Sequence, residues 1–409
     1  MRSKPQLLDK GGETSLPLEI IILILRHALA YDTCYFPSLL AIGYLQERQA
    51  ICLTGCLVSR TWNTVATPLL YFEPILTSIQ PFIQTLRTRR QLRAYVRRLH
   101  YRCSILGHLD SNQYTLHLFR WPRIYRIRLL FRKFQKDIHN TIQFCTNTHT
   151  LCINHFHSRG NGYNTGITFL ESPALSNLHT LKHLIIAFDT FFNTYLPKLS
   201  LPHLHALTIY ECGIYVAPFH PRVDLPRLRV LQFVRTTFAT PNFSMLESSS
   251  ILSSVSTLEF HDCQSFSSYY VTGRESDSRL LAILSREWSL IGSSGNIRHL
   301  VLGQLHLLPS LFSTWRLPER LETITVFVSR SLNDTNTTPF KSCLEYCIAE
   351  RGGKDEANHL RIIVNIASRA SDVLESVTAL REWCRARRIT TEMKALDLQQ
   401  FIVQRIERP

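Results

Sequence analysis

Cys145, His149, Cys152, His155 and His157 are of the types that bind a transition metal, and they fall within one short span. Zinc needs four such ligands converging as a tetrahedron. The span 149–156 reads as a strand, however, and neighbouring residues of a strand point to opposite faces. The spacing therefore favours unrelated side chains on a strand, and no metal or other cofactor is expected. The sequence has no G-x-x-x-x-G-K-(S/T) loop and no H-E-x-x-H, and Gly160-x-Gly162-x-x-x-Gly166 has the wrong spacing for a dinucleotide turn. It also lacks a G-x-S-x-G elbow. No catalytic residues are assigned, and an enzyme is the least expected class.

Charge is the stronger chemical signal. The formal net charge is +15, and the stretch from Arg87 to Lys136 holds fourteen Lys or Arg against one acid, Asp110, a net of +13. Charge concentrated in this way points to a local basic surface and an anionic partner. Arg98, His100 and Arg102 alternate on one expected strand, and Arg126 and Arg128 on the next. Strands lie about 4.8 Å apart, so these side chains would share one patch of an open face. Guanidiniums so close repel unless an anion binds them, and arginine captures carboxylate or phosphate through two parallel hydrogen bonds. These five residues are the candidate site for an acidic or phosphorylated segment of a target protein. The competing reading is a solvated basic face, or arginines paired with acids elsewhere in the fold.

The elements that must position these groups begin with two apolar helices. Pro17 suits a first helical turn and Glu19 suits its positive end. Ile20, Ile21, Ile24 and Ala28 recur at helical spacing, while Ile22, Leu23 and Leu25 make the helix apolar nearly all round. Such a helix needs cover on more than one face, from its own domain or from a partner. A loop and short helix are expected over 31–50, a second apolar helix from about Ala50 to Ala66 closing before Pro68, and an extended segment at Leu69 to Phe72. Leu16-Pro17-x-Glu19-Ile20-Ile21-x-x-Ile24-Leu25 and Cys56-Leu57-Val58-Ser59-Arg60-Thr61-Trp62 together resemble the F-box, a family that opens with Leu-Pro-x-Glu-Ile and closes with Val-Cys-Arg-x-Trp. Ser59 stands where that family usually has Cys, and the stretch between the helices is longer than usual. The resemblance, closest to fungal F-box-like proteins, covers roughly residues 14–72. It implies that Leu16, Pro17, Ile20, Ile21, Ile24, Leu57, Val58 and Trp62 serve docking to a Skp-type adaptor, and through it to a cullin–RING ubiquitin ligase.

Beyond the helices the chain repeats itself. Segments of the form L-x-x-L-x-Φ, with Φ apolar, are centred on Leu99, Ile127, Leu151, Leu184, Leu207, Leu231, Leu258, Leu300 and Ile324. Most intervals fall in the 20–29-residue pitch of a leucine-rich repeat. Leu204-x-x-Leu207-x-Ile209-x-x-Cys212 and Val255-x-x-Leu258-x-Phe260-x-x-Cys263 complete the motif, and this gives the two thiols an inward structural role against loop backbone amides. Weaker units carry Thr236, Asp189 or Ser329 there. Each unit is one strand plus a return, and only stacked neighbours can bury it. Proline ends the return in Pro226-Arg227-Leu228-Arg229 and Pro202-His203-Leu204-His205.

The expected fold is α/β: a short helical F-box-like module followed by an irregular leucine-rich-repeat solenoid with parallel strands. The expected divisions are a loose terminus (1–14), the module (15–72), a helical linker (73–94), the array (95–366) and a C-terminal helical cap (367–409) built on a last strand, Leu360 to Ile366, and a helix near 372–387. Scattered cysteines without C-x-x-C, and no leader or membrane span, lead to an expected cytoplasmic or nuclear setting. The expected function is target recruitment to a Skp–cullin–F-box type ubiquitin ligase. The alternatives are a leucine-rich binding scaffold unconnected to ubiquitin and, less favoured, a nucleic-acid-binding solenoid, since no nucleic-acid motif accompanies the charge.

Overall fold

The computed structural model describes residues 16–29, 39–76, 79–104, 136–156, 175, 177–188, 200–210, 212–214, 224–238, 254–261, 263–265, 296–303, 320–328, 341–342, 345, 360–366, 371–387 and 389–395. Helices come first: α1 (Leu18–Leu29), α2 (Leu39–Val58) and α3 (Arg60–Phe72), then β1 (Ile75–Leu76), α4 (Ile79–Thr88) and a 3-10 helix (Arg90–Tyr95). β2 (Arg98–Ser104) is followed by a helix over 136–144, α5, and by β3 (Thr150–Phe156) and β4 (His183–Phe188). β5 (Ala206–Tyr210), β6 (Gly213–Ile214), β7 (Val230–Val234), β8 (Thr237–Phe238), β9 (Thr257–His261) and β10 (Gln264–Ser265) come next. β11 (His299–Gly303), β12 (Thr323–Val328), β13 (Arg361–Ile366), α6 (Ser371–Ala386) and β14 (Thr390–Ala395) complete the described chain.

Eleven strands form one sheet in the order β1-β2-β3-β4-β5-β7-β9-β11-β12-β13-β14. Every pairing in it is parallel. The repeat centres stack in one register row: Leu99, Leu151, Leu184, Leu207, Leu231, Leu258, Leu300 and Ile324 are successive Cα partners. All eight are buried, and with Tyr101, Ile153, Ile186, Ile209, Phe233 and Leu302 two positions on they form one continuous core. Ile127 lies outside the described residues. The neighbour of β2 is therefore β3 on one side and β1 on the other, and the expected pairing with a strand centred on Ile127 is corrected. The row continues past Ile324 through Ile362 to Thr391 on β14, a strand that the sequence reading assigned to a helical cap.

The positions flanking each central Leu were expected on an open, solvated face. In the structure Thr208, Gln232, Glu259, Tyr210, Val234 and His261 are buried instead, and β5, β7 and β9 are buried at every residue. Parallel strands covered on both faces usually read as continuous apolar runs, but β9 (Thr-Leu-Glu-Phe-His) alternates polar and apolar residues and is buried at both kinds of position. The polar groups on this face satisfy one another across the strands. His183 Nε2 lies 2.8 Å from Thr208 Oγ1, and Thr208 Oγ1 donates to Gln232 Oε1 at 2.6 Å. Gln232 Nε2 donates to Glu259 Oε2 at 3.1 Å, and His261 Nε2 is 2.9 Å from the same oxygen. Since the Thr208 proton goes to Gln232, His183 is the donor to Thr208. A buried polar chain is tolerable only when its members are partnered in this way. Gly303 lies beside His261 in register, and a Cβ there would sit 2.8 Å from the His261 ring and 3.2 Å from the Phe260 carbonyl oxygen.

The motif position after each strand behaves as expected in direction but not in partner. Cys212 Sγ donates to the carbonyls of Tyr210 (3.1 Å) and Ile186 (3.6 Å), and Cys263 Sγ to those of Phe233 (3.4 Å) and His261 (3.5 Å). Thr236 Oγ1 reaches the carbonyls of Ile209 and Val234 at 3.2 and 3.3 Å. The partners are carbonyls of the same and the preceding strand, not loop amides. Asp189 and Ser329 lie outside the described residues. Just beyond, β6, β8 and β10 pair parallel into a small second sheet.

Candidate functional site

The N-terminal helices meet around a small core of their own. Ile21 and Leu25 of α1 and Ala66 of α3 are buried, with Ile51, Cys56, Trp62, Val65 and Leu69 packed partly against them. Gly55 lets α2 approach closely: a Cβ there would lie 3.2 Å from Ala66 Cβ and 3.5 Å from Leu25 Cδ2. Among the described residues, this interior does not take in the rest of the apolar surface. Leu16, Leu18, Ile20, Leu23 and Ile24 at α1, and Leu53, Leu57 and Val58 at the end of α2, are all exposed, Leu57 at 86% and Val58 at 58%. Among the described residues, these are eight of the nine large apolar side chains that face solvent. Ile20, Leu23 and Ile24 recur at i, i+3 and i+4, and Leu53 and Leu57 at i and i+4, so each set forms a stripe on one side of its helix.

Of the expected docking residues, Leu16, Pro17, Ile20, Ile24, Leu57 and Val58 are exposed and Trp62 is half-buried. Ile21 is the exception. At 1% exposure it belongs to the internal core, and its expected place on the docking surface is corrected. The inward stripe of α1 is Ile21 and Leu25, a rotation the all-apolar helix could not reveal.

The break that turns α3 against α2 lies at Ser59. Its backbone is extended (φ −161°, ψ 172°), and its Oγ accepts from the Trp62 amide at 3.3 Å, a helix N-cap. Asn63 Nδ2 donates to the Cys56 carbonyl at 2.9 Å, closing the last turn of α2. The helices run 39–58 and 60–72 in place of the short helix expected within 31–50 and the helix expected at 50–66, so the break falls at Ser59 and not near Ala50. Pro68 does not end α3, which runs on to Phe72. A helix-interior proline costs about 3 kcal/mol, but the last turn packs onto the body of the fold: Tyr71 stacks on Phe82 at 6.3 Å, and Arg98 lies over the Phe72 ring at 5.6 Å.

At the C-terminus of α3 stands Glu73, almost fully buried. Arg48 of α2 donates to its Oε2 at 2.6 Å, His100 Nε2 of β2 lies 2.7 Å from its Oε1, and Arg98 Nη1 lies 4.0 Å from Oε2. Burial pushes the carboxyl pKa up, but the His100 hydrogen bond and the charges of His100, Arg48 and Arg98 outweigh it and hold it below its ordinary value. Burial likewise opposes a charge on His100. Hydrogen bonds to Cys152 and Glu73, with the Glu73 charge, raise its pKa to about 10. One buried acid thus ties α2, α3 and β2 together.

That joint corrects the anion-site expectation. Arg98 and His100 are turned to an acid of their own chain, the outcome named above as the competing reading. Arg102 continues β2, and Arg126 and Arg128 lie outside the described residues. Glu73 and Arg48 were missed, although a signal existed: between Arg48 and Leu109, Glu73 is the only acid in the chain. Of the metal candidates, Cys145 is part of the sheet core, while Cys152 shares a register position with His100 on the opposite face. Among the described residues no three His, Cys, Asp or Glu converge as metal ligands, and no helix is long and apolar enough to cross a membrane.

No protein-family model matches the chain, and no curated protein is similar to it.

Proposed function

We propose that this chain is the target-recruiting subunit of a Skp–cullin–F-box type ubiquitin ligase. The module docks a Skp-type adaptor, the repeat array presents the target, and a separate enzyme transfers ubiquitin. No group of this chain takes part in bond making, and the work belongs to the cytoplasm or nucleus. The observation that carries the reading is the distribution of open apolar surface. Among the described residues it is concentrated on α1 and the end of α2, which carry the Leu-Pro-x-Glu-Ile segment and the start of Leu-Val-Ser-Arg-x-Trp, whereas the described strands of the array bury theirs. Fully covering a Leu- or Ile-sized side chain is worth roughly 1.5–3 kcal/mol. A partner covering four of these residues therefore gains on the order of 10 kcal/mol gross, before the costs of association.

The test is a pull-down of purified full-length chain by purified Skp-type adaptor, with Ile24→Asp/Leu57→Asp as the variant. Both side chains are exposed, so the variant keeps its thermal unfolding midpoint. Capture of the wild type and loss in the variant support the proposal. Failure of the folded wild type to bind overturns it and leaves a leucine-rich scaffold whose helices only cap the array.

A further inference from the structure

A different basic feature survives the correction at Glu73. The residue that enters each strand forms its own row along the rim of the sheet. The order is Arg97, His149, Lys182, His205 and Arg229, leading into β2, β3, β4, β5 and β7 in sheet order. Backbone hydrogen bonds hold them side by side: His149 N to Arg97 O (2.7 Å), Lys182 N to His149 O (2.9 Å), His205 N to Lys182 O (2.8 Å) and Arg229 N to His205 O (2.8 Å). His203 and Arg227, two residues earlier on their own segments, add a second row, with Arg227 Nη1 3.3 Å from His203 Nδ1. Lys182, His205, Arg227 and Arg229 are exposed, and Arg97, His149 and His203 half-exposed.

No acid among the described residues pairs with any of these seven. The same rim is neutralised further along the sheet. Arg298, entering β11, pairs with Glu322, entering β12, at 3.2 Å. Crowding shows in the two histidines. Partial burial and then Arg97, Lys182 and Arg98 lower the pKa of His149. Partial burial and then Lys182, Arg227, Arg229 and His203 lower that of His205. Every charge moving either ring is positive.

We infer that this rim strip is the docking site for an extended acidic segment of a partner protein. Five strands at about 4.8 Å spacing make a track of roughly 19 Å, the reach of about six extended residues. Arginines at both ends and a lysine midway suit carboxylates placed along such a segment. Nucleic acid fits less well. Four of the strip's seven residues are arginine or lysine (Arg97, Lys182, Arg227 and Arg229), and none of the seven is a Phe, Tyr or Trp on which successive bases stack in single-strand binders. That the segment belongs to a ligase target rests on the role proposed above, but the affinity of the strip does not.

The experiment is fluorescence anisotropy of a labelled Asp/Glu-rich peptide titrated with the full-length chain. Its comparisons are Arg227→Glu/Arg229→Glu and, as a charge-matched control, Arg381→Glu/Arg385→Glu on the exposed side of α6. Saturable binding that weakens about tenfold or more in the rim variant and less than about twofold in the control is the expected result, since one charge-assisted contact is worth a decade. Equal weakening in both variants, or no binding, overturns the inference. So does tighter binding of a single-stranded oligouridylate at the same salt, which assigns the strip to nucleic acid. Adaptor capture is measured on the same rim variant. It is retained if the recruiting role holds, whichever way the peptide result falls.

Discussion

Leu57 and Leu231 are the same residue type in two regions that treat it oppositely, one at 86% exposure and the other at 0%. The described strands of the array complete one another's burial. Each strand covers the next, both faces of β5, β7 and β9 are closed, and even the polar side chains between the leucines find partners on neighbouring strands. The helical module does not. Among its described residues Ile21, Leu25, Cys52 and Ala66 are buried and a partial shell packs on them, while Leu16, Leu18, Ile20, Leu23, Ile24, Leu53, Leu57 and Val58 face outward. A repeat fold supplies cover for each unit through its neighbour, whereas the module has no repeating neighbour to cover its outward stripes. The module is therefore tied to the sheet through Glu73, and on the proposed function its open stripe is what a partner covers.

The largest effect is expected where the two regions join. Glu73→Leu leaves Arg48, Arg98 and His100 around a site without its acid, and removing one member of a buried ion pair costs about 3–5 kcal/mol. Urea unfolding of the variant should show that loss, together with faster proteolysis at α3. An unchanged midpoint would mean that the joint is not what holds the regions together. Next in size is the leucine contrast itself. Leu231→Ala should cost about 2–5 kcal/mol through lost transfer energy and cavity formation, while Leu57→Ala should stay within about 0.5 kcal/mol. Equal losses at the two sites would erase the comparison.

These positions differ in how legible they were. The repeat centres could be read because burial repeats at a fixed interval: eight of the nine named leucine-type positions stand in one register row. Cys212 and Cys263 could be read because the motif reserves a small donor there. Ile21 could not be told from Ile20, since α1 is apolar all round and only packing chooses its inner face. Pro68 misled because local preference stops a helix that tertiary contacts at Tyr71 and Phe72 prolong. Arg98 and His100 were placed on a free patch because the acid that takes them up lies 25 and 27 residues away, beyond any local pattern. The buried flanking face was misread because what covers a strand is not written in the strand.

The two regions also answer pH in opposite directions, an effect of about 1.4 kcal/mol per pH unit for one group. His183, deep in the array, has its pKa pulled down to about 3 by burial and by the Arg98 charge. The unfolded chain therefore binds its proton first, and stability falls as pH drops below the ordinary histidine value near 6.5. His100, at the joint, is raised to about 10. Its contribution is whole below about 6.5 and is lost as pH climbs toward the raised value. Thermal midpoints across pH should show an acid limb that flattens in His183→Gln and an alkaline limb that flattens in His100→Gln. If either substitution flattens the other limb, the assignment of the two histidines to separate regions is wrong.

The smallest effect sharpens the comparison inside the module. Ser59 separates α2 from α3 and caps the latter through the Trp62 amide. Ser59→Ala removes the acceptor and should lower stability by about 1 kcal/mol, while Ser59→Asp, which keeps an acceptor and adds a favourable charge at a helix N-terminus, should restore it. The consequence for docking is larger than the energy suggests. Leu57 and Val58 lie immediately before the capped turn, and the angle between the helices sets where they project. Adaptor capture should therefore weaken in Ser59→Ala and recover in Ser59→Asp, even though neither substitution touches an apolar side chain. Unchanged capture in Ser59→Ala, with the stability loss present, would show that the stripe on α1 alone carries docking and that the end of α2 is a bystander.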